Sequence, residues 1–320
     1  MNIMERLKKA WWILPAVILG IIPLIFKEKS AYVSGILIFA GIYIILAVGL
    51  DLLMGYAGQI SVGHASFFAI GAYSSAILTV KYGISPLLAM FFGMFLSGLI
   101  AWIIGRPVLA LKEYYLAMAT LAFNEIVITL IIGIEWLTGG ASGLKNIPSF
   151  SLFGFTMKNN LHYYYFVWFV VFLVVAMTIA IVKSPMGRTL IAIHSDEVAA
   201  RTFGINSTKY KTGIFVLVNV FASVAGSLYA HYMGFIAPDD FGVSTSVNML
   251  VMLFLGGFGT IYGPAIGALF LKILPELTYF FQDYELLING VILIIVLVFM
   301  PKGMYGIFVA MKRKIGFSRE

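Results

Sequence analysis

Apolar runs long enough to cross a bilayer recur along almost the whole chain, separated by short polar connections. Set against the roughly 20 residues that a membrane-spanning helix needs, they predict ten helices. These lie near 10–26, 31–50, 59–80, 86–105, 114–133, 162–182, 213–233, 245–259, 263–281 and 286–300. The runs at 245–259 and 286–300 are short enough to be tilted or re-entrant. The expected fold class is an all-α polytopic membrane protein. It forms one domain over 1–320, with about ten transmembrane helices, some broken or re-entrant, and two longer connections at 134–161 and 183–212.

Composition agrees with the pattern. Of the 320 residues, 61% are hydrophobic and 11% charged, with a mean hydropathy of +1.00. A soluble domain is about half apolar and about a quarter charged. There is no cysteine, which excludes disulfides, thiolate catalysis and cysteine-ligated metals.

The net charge of +7 and pI of 9.4 raise the question of nucleic acid, and the location of the charges answers it. With the N-terminus in the cytoplasm, 15 of the 21 Lys and Arg residues fall on the cytoplasmic side, five fall outside and Lys272 lies within a span. That asymmetry is the positive-inside bias and predicts both termini in the cytoplasm, with no nucleic-acid partner. Residues 10–26 follow Arg6, Lys8 and Lys9 as a signal peptide would, but Phe26-Lys27-Glu28-Lys29 comes next in place of a small-residue cleavage site, so an uncleaved first span is expected. No Gly-rich phosphate loop ending in Lys-Ser/Thr occurs; any nucleotide that drives this protein must sit on another chain.

Within 183–212, Ser195 is placed to cap a helix, Asp196 and Glu197 stand in its first turn where the dipole favours anions, Ala199 and Ala200 are strong helix formers, and Gly204 can end it. The result is a helix of about two turns outside the membrane. So short a helix is marginal alone, and a partner surface is expected to complete it. A basic loop that only sets topology is the simpler alternative.

The third span opens in an unusual run, with Gly55, Gly58 and Gly63 close together and Ala57, Ser61, Ala65 and Ala69 recurring every four residues. Small residues on one face permit close helix approach. Gln59, Ser61, His64 and Ser66 are polar and must face protein or water, so they are expected to line a path through the protein or to pack just behind it. His64 is more simply an interhelical hydrogen-bond partner, and without nearby Cys, Asp or Glu it is no metal site. Gly256, Gly257 and Gly259, followed by Gly263-Pro264, echo this stretch loosely, either as a parallel repeat or as a second glycine-rich turn.

Glu125 lies near the middle of the 114–133 span, with Thr120, Asn124 and Thr129 at helical spacing. An acid at that depth costs about 2.5–3.5 kcal/mol on insertion scales, so a functional or paired role is the default. Lys272 and Glu276 stand four apart around Pro275, a spacing that suits a local ion pair in a kinked helix.

The stretch from Gly55 through Gly58-Gln59, Ser61, Gly63-His64 and Ser66 to Tyr73 resembles the signature of LivM-type permeases of branched-chain amino-acid ABC importers. So do Tyr115 to Glu125, Thr138-Gly139-Gly140, Ser184-Pro185-Met186-Gly187-Arg188 and Leu255-Gly256-Gly257-Phe258-Gly259 with Gly263-Pro264. The acid before Ala199-Ala200 and Gly204 resembles the "EAA" loop that docks such permeases on their ATPases. The chain departs from that pattern at Val198, which separates Glu197 from the alanines, and at His194, Glu113 and Ser142.

The resemblance implies a permease subunit supplying half of a translocation path and no catalytic residue, cofactor or metal. Its partners would be a second, LivH-like permease, two ATP-binding-cassette ATPases, an external solute-binding protein and membrane lipid, in a prokaryotic plasma (inner) membrane. It implies an ATPase-coupling set of Gly187, Arg188, Asp196, Glu197, Ala199, Ala200 and Gly204. The path residues would be Gln59, Ser61, His64, Ser66, Thr120, Asn124 and Glu125, with Gly55, Gly58, Gly63, Gly256, Gly257 and Gly259 as broken-helix glycines. The substrate would be a branched-chain amino acid, with urea or short amides as an alternative. A stand-alone proton-coupled carrier would need Glu125 or His64 as its relay. A membrane enzyme finds no nucleophile–base or carboxylate pair.

Overall fold

The computed structural model describes residues 30–152, 155–157, 159–277, 290, 291, 294 and 303–306. Its long helices follow the apolar runs: α1 (Ser30–Asp51), α2 (His64–Tyr82), α3 (Pro86–Val108), α4 (Glu113–Gly133), α6 (Asn160–Lys183), α9 (Ser207–Met233), α10 (Val243–Gly256) and α11 (Gly263–Leu277). Shorter helices α5 (Glu135–Thr138), α7 (Pro185–Ser195) and α8 (Glu197–Thr202) sit in the two longer connections. Among the described residues, five helices are long and apolar enough to cross a membrane. The predicted span at 10–26 lies outside the described residues, and the one at 286–300 lies almost wholly outside them.

Caps explain several boundaries. Asn159, Ser184, Asp196 and Asn206 each accept a hydrogen bond from a backbone N–H two or three residues on, opening α6, α7, α8 and α9. Pro86 and Pro185 occupy first-turn positions where a missing N–H costs nothing.

The centre of the bundle is α1, α2 and α9. Helix α9 packs along α2 and α3, and α1 lies against α6, α11 and α9. Ala65 and Ala69 of the small-residue face predicted for the third span are fully buried, as are Ala72 and Ala76 further along α2. Where α2 crosses α9 the backbones touch, since a Cβ on Gly71 would strike the Ser223 backbone and one on Gly226 would strike the Phe68 carbonyl. Small residues thus convert helix crossing into dense backbone packing, as membrane interfaces require. Helices α3 and α6 lie outside this centre with exposed faces of Phe91, Phe95 and Leu99, and of Phe169, Phe172 and Leu173.

In α11, Lys272 reaches α1 and lies over the Tyr43 ring, its Nζ 3.5 Å from the centroid. The side chain of Glu276, expected to pair with it, falls outside the described residues.

Candidate coupling and translocation site

The two glycine-rich stretches meet in space. Helix α1 ends at Asp51, widens into a π-helical turn at Leu52–Tyr56, and residues 57–63 run non-helically before α2 restarts at His64. Asp51, almost wholly buried, accepts a hydrogen bond at Oδ1 from the N–H of Gly259, 2.8 Å away. Gly55 lies against the same loop; a Cβ there would meet Asp51 Oδ1 and stand 2.8 Å from the Gly259 backbone. Gly256, Gly257 and Gly259 form the far side, with φ of +123° at Gly257 and +70° at Gly259. Gly58, at φ +67°, sits directly under the His194 ring, and Gly63 abuts the Thr120 carbonyl. The broken helix is thereby joined to α4, α7 and the loop after α10.

Among the predicted path residues, Thr120 bonds across this joint, while Gln59 and Ser66 satisfy the backbone beside them. Gln59 Nε2 donates to the Ala57 carbonyl at 3.0 Å, and Ser66 Oγ donates to the Gly63 carbonyl at 2.5 Å. Thr120 Oγ1 accepts from the Val62 N–H at 3.0 Å and donates to the Ala117 carbonyl. Asn124 Nδ2 donates to the Phe241 carbonyl at 3.4 Å, tying α4 to the Pro238–Phe241 turn. His64 is buried facing Asn219 on α9, with neither ring nitrogen in hydrogen-bond geometry. A cavity of about 10 Å³ lies between Ser61, Gly63, Phe67 and Thr120. That is room for one water and not for an amino acid. Exposure divides the polar arc suggested by spacing: Thr120 and Asn124 are buried, whereas Glu125 and Thr129 are exposed.

The 183–212 connection is two helices. Ser195 closes α7, and Asp196 caps α8, accepting from the Ala199 N–H at 2.9 Å. The predicted helix therefore begins one residue later than Ser195 suggests, and Gly204 follows it with φ +80°. Glu197 binds Arg201 at 2.7 Å and Lys211, in the first turns of α9, at 2.6 Å. Ala200 and Gly187 are buried, the latter against the Ile181 and Val182 carbonyls, while Arg188 is exposed. The outward surface of α8 is mixed: Val198 is 74% exposed and Phe203, just past the helix, is 86% exposed, beside the exposed polar side chains of Arg201 and Thr202.

At the opposite end, the 134–161 connection folds onto the 234–243 loop. Leu144 and Ile236 exchange backbone hydrogen bonds at 2.9 and 3.1 Å, and His231 Nδ1 meets the Pro148 carbonyl at 2.7 Å. Ser227 donates to Ser75, whose hydroxyl lies 2.8 Å from His231 Nε2, so one buried chain links α9, α2 and this connection. A two-residue hairpin, Ser151–Leu152 with Phe155–Thr156, completes it.

Among the described residues, the broken helix is joined to the 183–212 connection, and the cavity beside its polar residues is smaller than an amino acid. The family model for the branched-chain amino acid transport system permease component matches residues 32–297. The chain belongs to that family. The permease is 32% identical over 286 residues to the high-affinity branched-chain amino acid transport system permease protein LivM of Salmonella typhimurium, covering 82% of this chain and 67% of that one. It is 27% identical over 293 residues to LivH of the same organism, covering 82% and 91%. It is 28% identical over 279 residues to the autoinducer 2 import system permease protein LsrC of Yersinia enterocolitica, covering 81% and 72%. No solved structure matches.

Three residues escaped the reading of the permease sequence. Asp51 stands at the end of an apolar run and was legible as a buried charge. His231 has no local pattern to mark it. Phe203 is a lone aromatic just past a short helix of charged and small residues, with no periodic partner to mark it.

Glu197 ties α8 to α9 and gives the permease a defined pH response. Burial pushes its carboxyl up, but the Lys211 ammonium, the Ser207 hydroxyl and Arg201 outweigh burial and hold it below the ordinary value. A depressed carboxylate stabilises the fold above its unfolded pKa, and that contribution is lost as pH falls through the folded one. Protection of the α8 amides, which is exchange corrected for its intrinsic pH dependence, is therefore expected to stay flat from neutral pH down to about 4.3, the ordinary Glu value, and to fall below it. Glu197→Gln should raise exchange at neutral pH and remove that acid limb. Exchange unaltered by the substitution would show that the pair does not hold α8.

Proposed function

We propose that this chain is one of two permease subunits of an ATP-driven importer in the prokaryotic plasma (inner) membrane, carrying branched-chain amino acids. The observation that carries the coupling assignment is α8, a capped helix braced by Glu197–Lys211 that offers Val198 and Phe203 to solvent. One of two ATP-binding-cassette ATPases would take those apolar side chains, the other docking on the second permease. Their closure would move α8 and α7 as a body and press on Gly58 through His194. The domain is read as 1–320 with about ten spans and both termini in the cytoplasm, which the positive-inside bias supports. On that topology the joined 134–161 and 234–243 connections face outward, where an external solute-binding protein would dock.

The substrate class follows the LivM and LivH likeness; the 28% identity to LsrC keeps another small solute, urea and short amides included, as the alternative. Mild-detergent extraction of the tagged chain from its native membrane, with mass spectrometry of what stays bound, tests the assembly. Two ATPases and a second permease are expected, and the reconstituted complex should import leucine, isoleucine or valine on addition of ATP and binding protein. Recovery of this chain alone, with full uptake, would replace the importer by a self-sufficient carrier. Glu125→Gln separates the same alternatives: ATP-driven uptake is expected to persist, while a proton-driven carrier would lose transport.

A further inference from the structure

Helices α3 and α6 show the bilayer what the bilayer accepts. Between Leu88 and Ile103 on α3, and between Tyr165 and Ala180 on α6, every exposed residue is apolar. Helix α4 differs. Its exposed face runs Tyr114, Met118, Leu121, Glu125, Thr129 and Ile132, placing a carboxylate and a hydroxyl among apolar neighbours. At about 1.5 Å per residue, Glu125 lies ~18 Å from the Glu113 end of the helix and ~12 Å from the Gly133 end. A glutamate side chain is too short to reach either interface from there. Hydrocarbon cannot solvate it, so this face must meet water and protein.

The polar surface continues past α4. The Asn124–Phe241 hydrogen bond brings α4 to the Pro238–Phe241 turn, and α10 follows directly, in contact with α4. Ser244 and Asn248 on α10 are exposed. Glu125 and Thr129 on α4 and Ser244 and Asn248 on α10 are thus exposed polar side chains on two helices in contact.

We propose that this α4–α10 face is where a second, non-identical permease subunit closes a hydrated path against this chain. The inference rests on the permease-pair reading above and adds which surface does the pairing and what covers it. A copy of this chain related by two-fold symmetry would bring a second Glu125 to the same interface, and like charges there repel, weakly across water and more strongly wherever protein separates them. A different chain that offers donors opposite Glu125 relieves that charge, and the likeness of this chain to both LivM and LivH proteins supplies the kind of partner: the same fold with other side chains.

The test uses the intact importer purified through a tag on this chain. A photo-crosslinking phenylalanine is placed at Met118 or Ile132 on α4 and, for comparison, at Phe95 on α3 or Phe169 on α6. Adducts of two-permease mass that contain a different chain are expected from Met118 and Ile132, with none from Phe95 or Phe169. Because the chain has no cysteine, Thr129→Cys supplies a single thiol. It should react with a water-soluble maleimide in the assembled complex, and Phe169→Cys should not. Adducts only from Phe95 or Phe169, none from α4 in an intact complex, adducts of two copies of this chain, or an unreactive Thr129→Cys would each overturn the proposal. Failure of any second permease to co-purify would instead remove the reading beneath it, and shows before any crosslink is made.

Discussion

Phe203→Ala is expected to uncouple this permease from its ATPases, lowering ATP-driven uptake to a small fraction of wild type while leaving the protein in the membrane. The side chain is 86% exposed, so it contributes little to the fold it belongs to. An exposed aromatic on a braced helix is the usual anchor of a protein interface, and truncating such an anchor costs about 2–4 kcal/mol of association. That corresponds to about 30- to 1,000-fold weaker binding. The affinity of the ATPases for the permease pair in detergent reads the effect directly, and permease abundance and amide exchange in α8 serve as controls for folding. Wild-type affinity in the variant would remove α8 as the docking element. Ala200→Arg is a poorer probe of the same idea. Ala200 is buried, so its replacement disturbs the packing of α8 before any partner is involved.

The helices were legible because apolar length alone specifies a membrane span, and the boundaries follow local capping chemistry. Where the reading slipped, a tertiary contact decided. The third span was expected from residue 59 and begins at His64, because Gly58 is held left-handed under His194 and Gly63 is pressed on Thr120, keeping 57–63 out of the helix. Helical spacing groups Thr120, Asn124, Glu125 and Thr129 as one arc, yet it cannot say which flank meets the bundle. Contacts from Val62 and Phe241 draw the first two inward and leave the others out. The likeness between the glycines at 55–63 and those at 256–263 left repeat and turn equally open. Their contact through Asp51 and Gly259 spans 208 positions of sequence, beyond any local pattern.

That contact yields the second large effect. Gly55→Ala is expected to reduce uptake to below about a tenth of wild type, through a steric route that Asp51→Asn does not share. An alanine Cβ at position 55 has two obstacles, the Asp51 carboxylate and the Gly259 backbone, and neither is the loose end of a flexible side chain. Overpacking of this kind costs about 1–3 kcal/mol, and opening the joint to relieve it also breaks the part-buried Gly259 N–H to Asp51 hydrogen bond, worth about 1 kcal/mol more. Asp51→Asn keeps an oxygen at Oδ1 and can keep the 2.8 Å bond, so it should retain most activity. Asp51→Leu, which keeps the bulk and loses the acceptor, should resemble Gly55→Ala. Thermal unfolding in detergent and ATP-driven uptake, measured on the three variants together, separate the outcomes. If Asp51→Asn were as damaged as Asp51→Leu, the charge would matter and not the bond. If Gly55→Ala transported normally, the joint between the broken helix and the 256–263 loop would be incidental to the transport cycle. The physical reason to expect damage is that this bond joins the two loops directly. Under the proposed coupling, movement delivered to Gly58 by His194 passes through it, alongside the packing of α1 on α10, toward the face that carries Ser244 and Asn248.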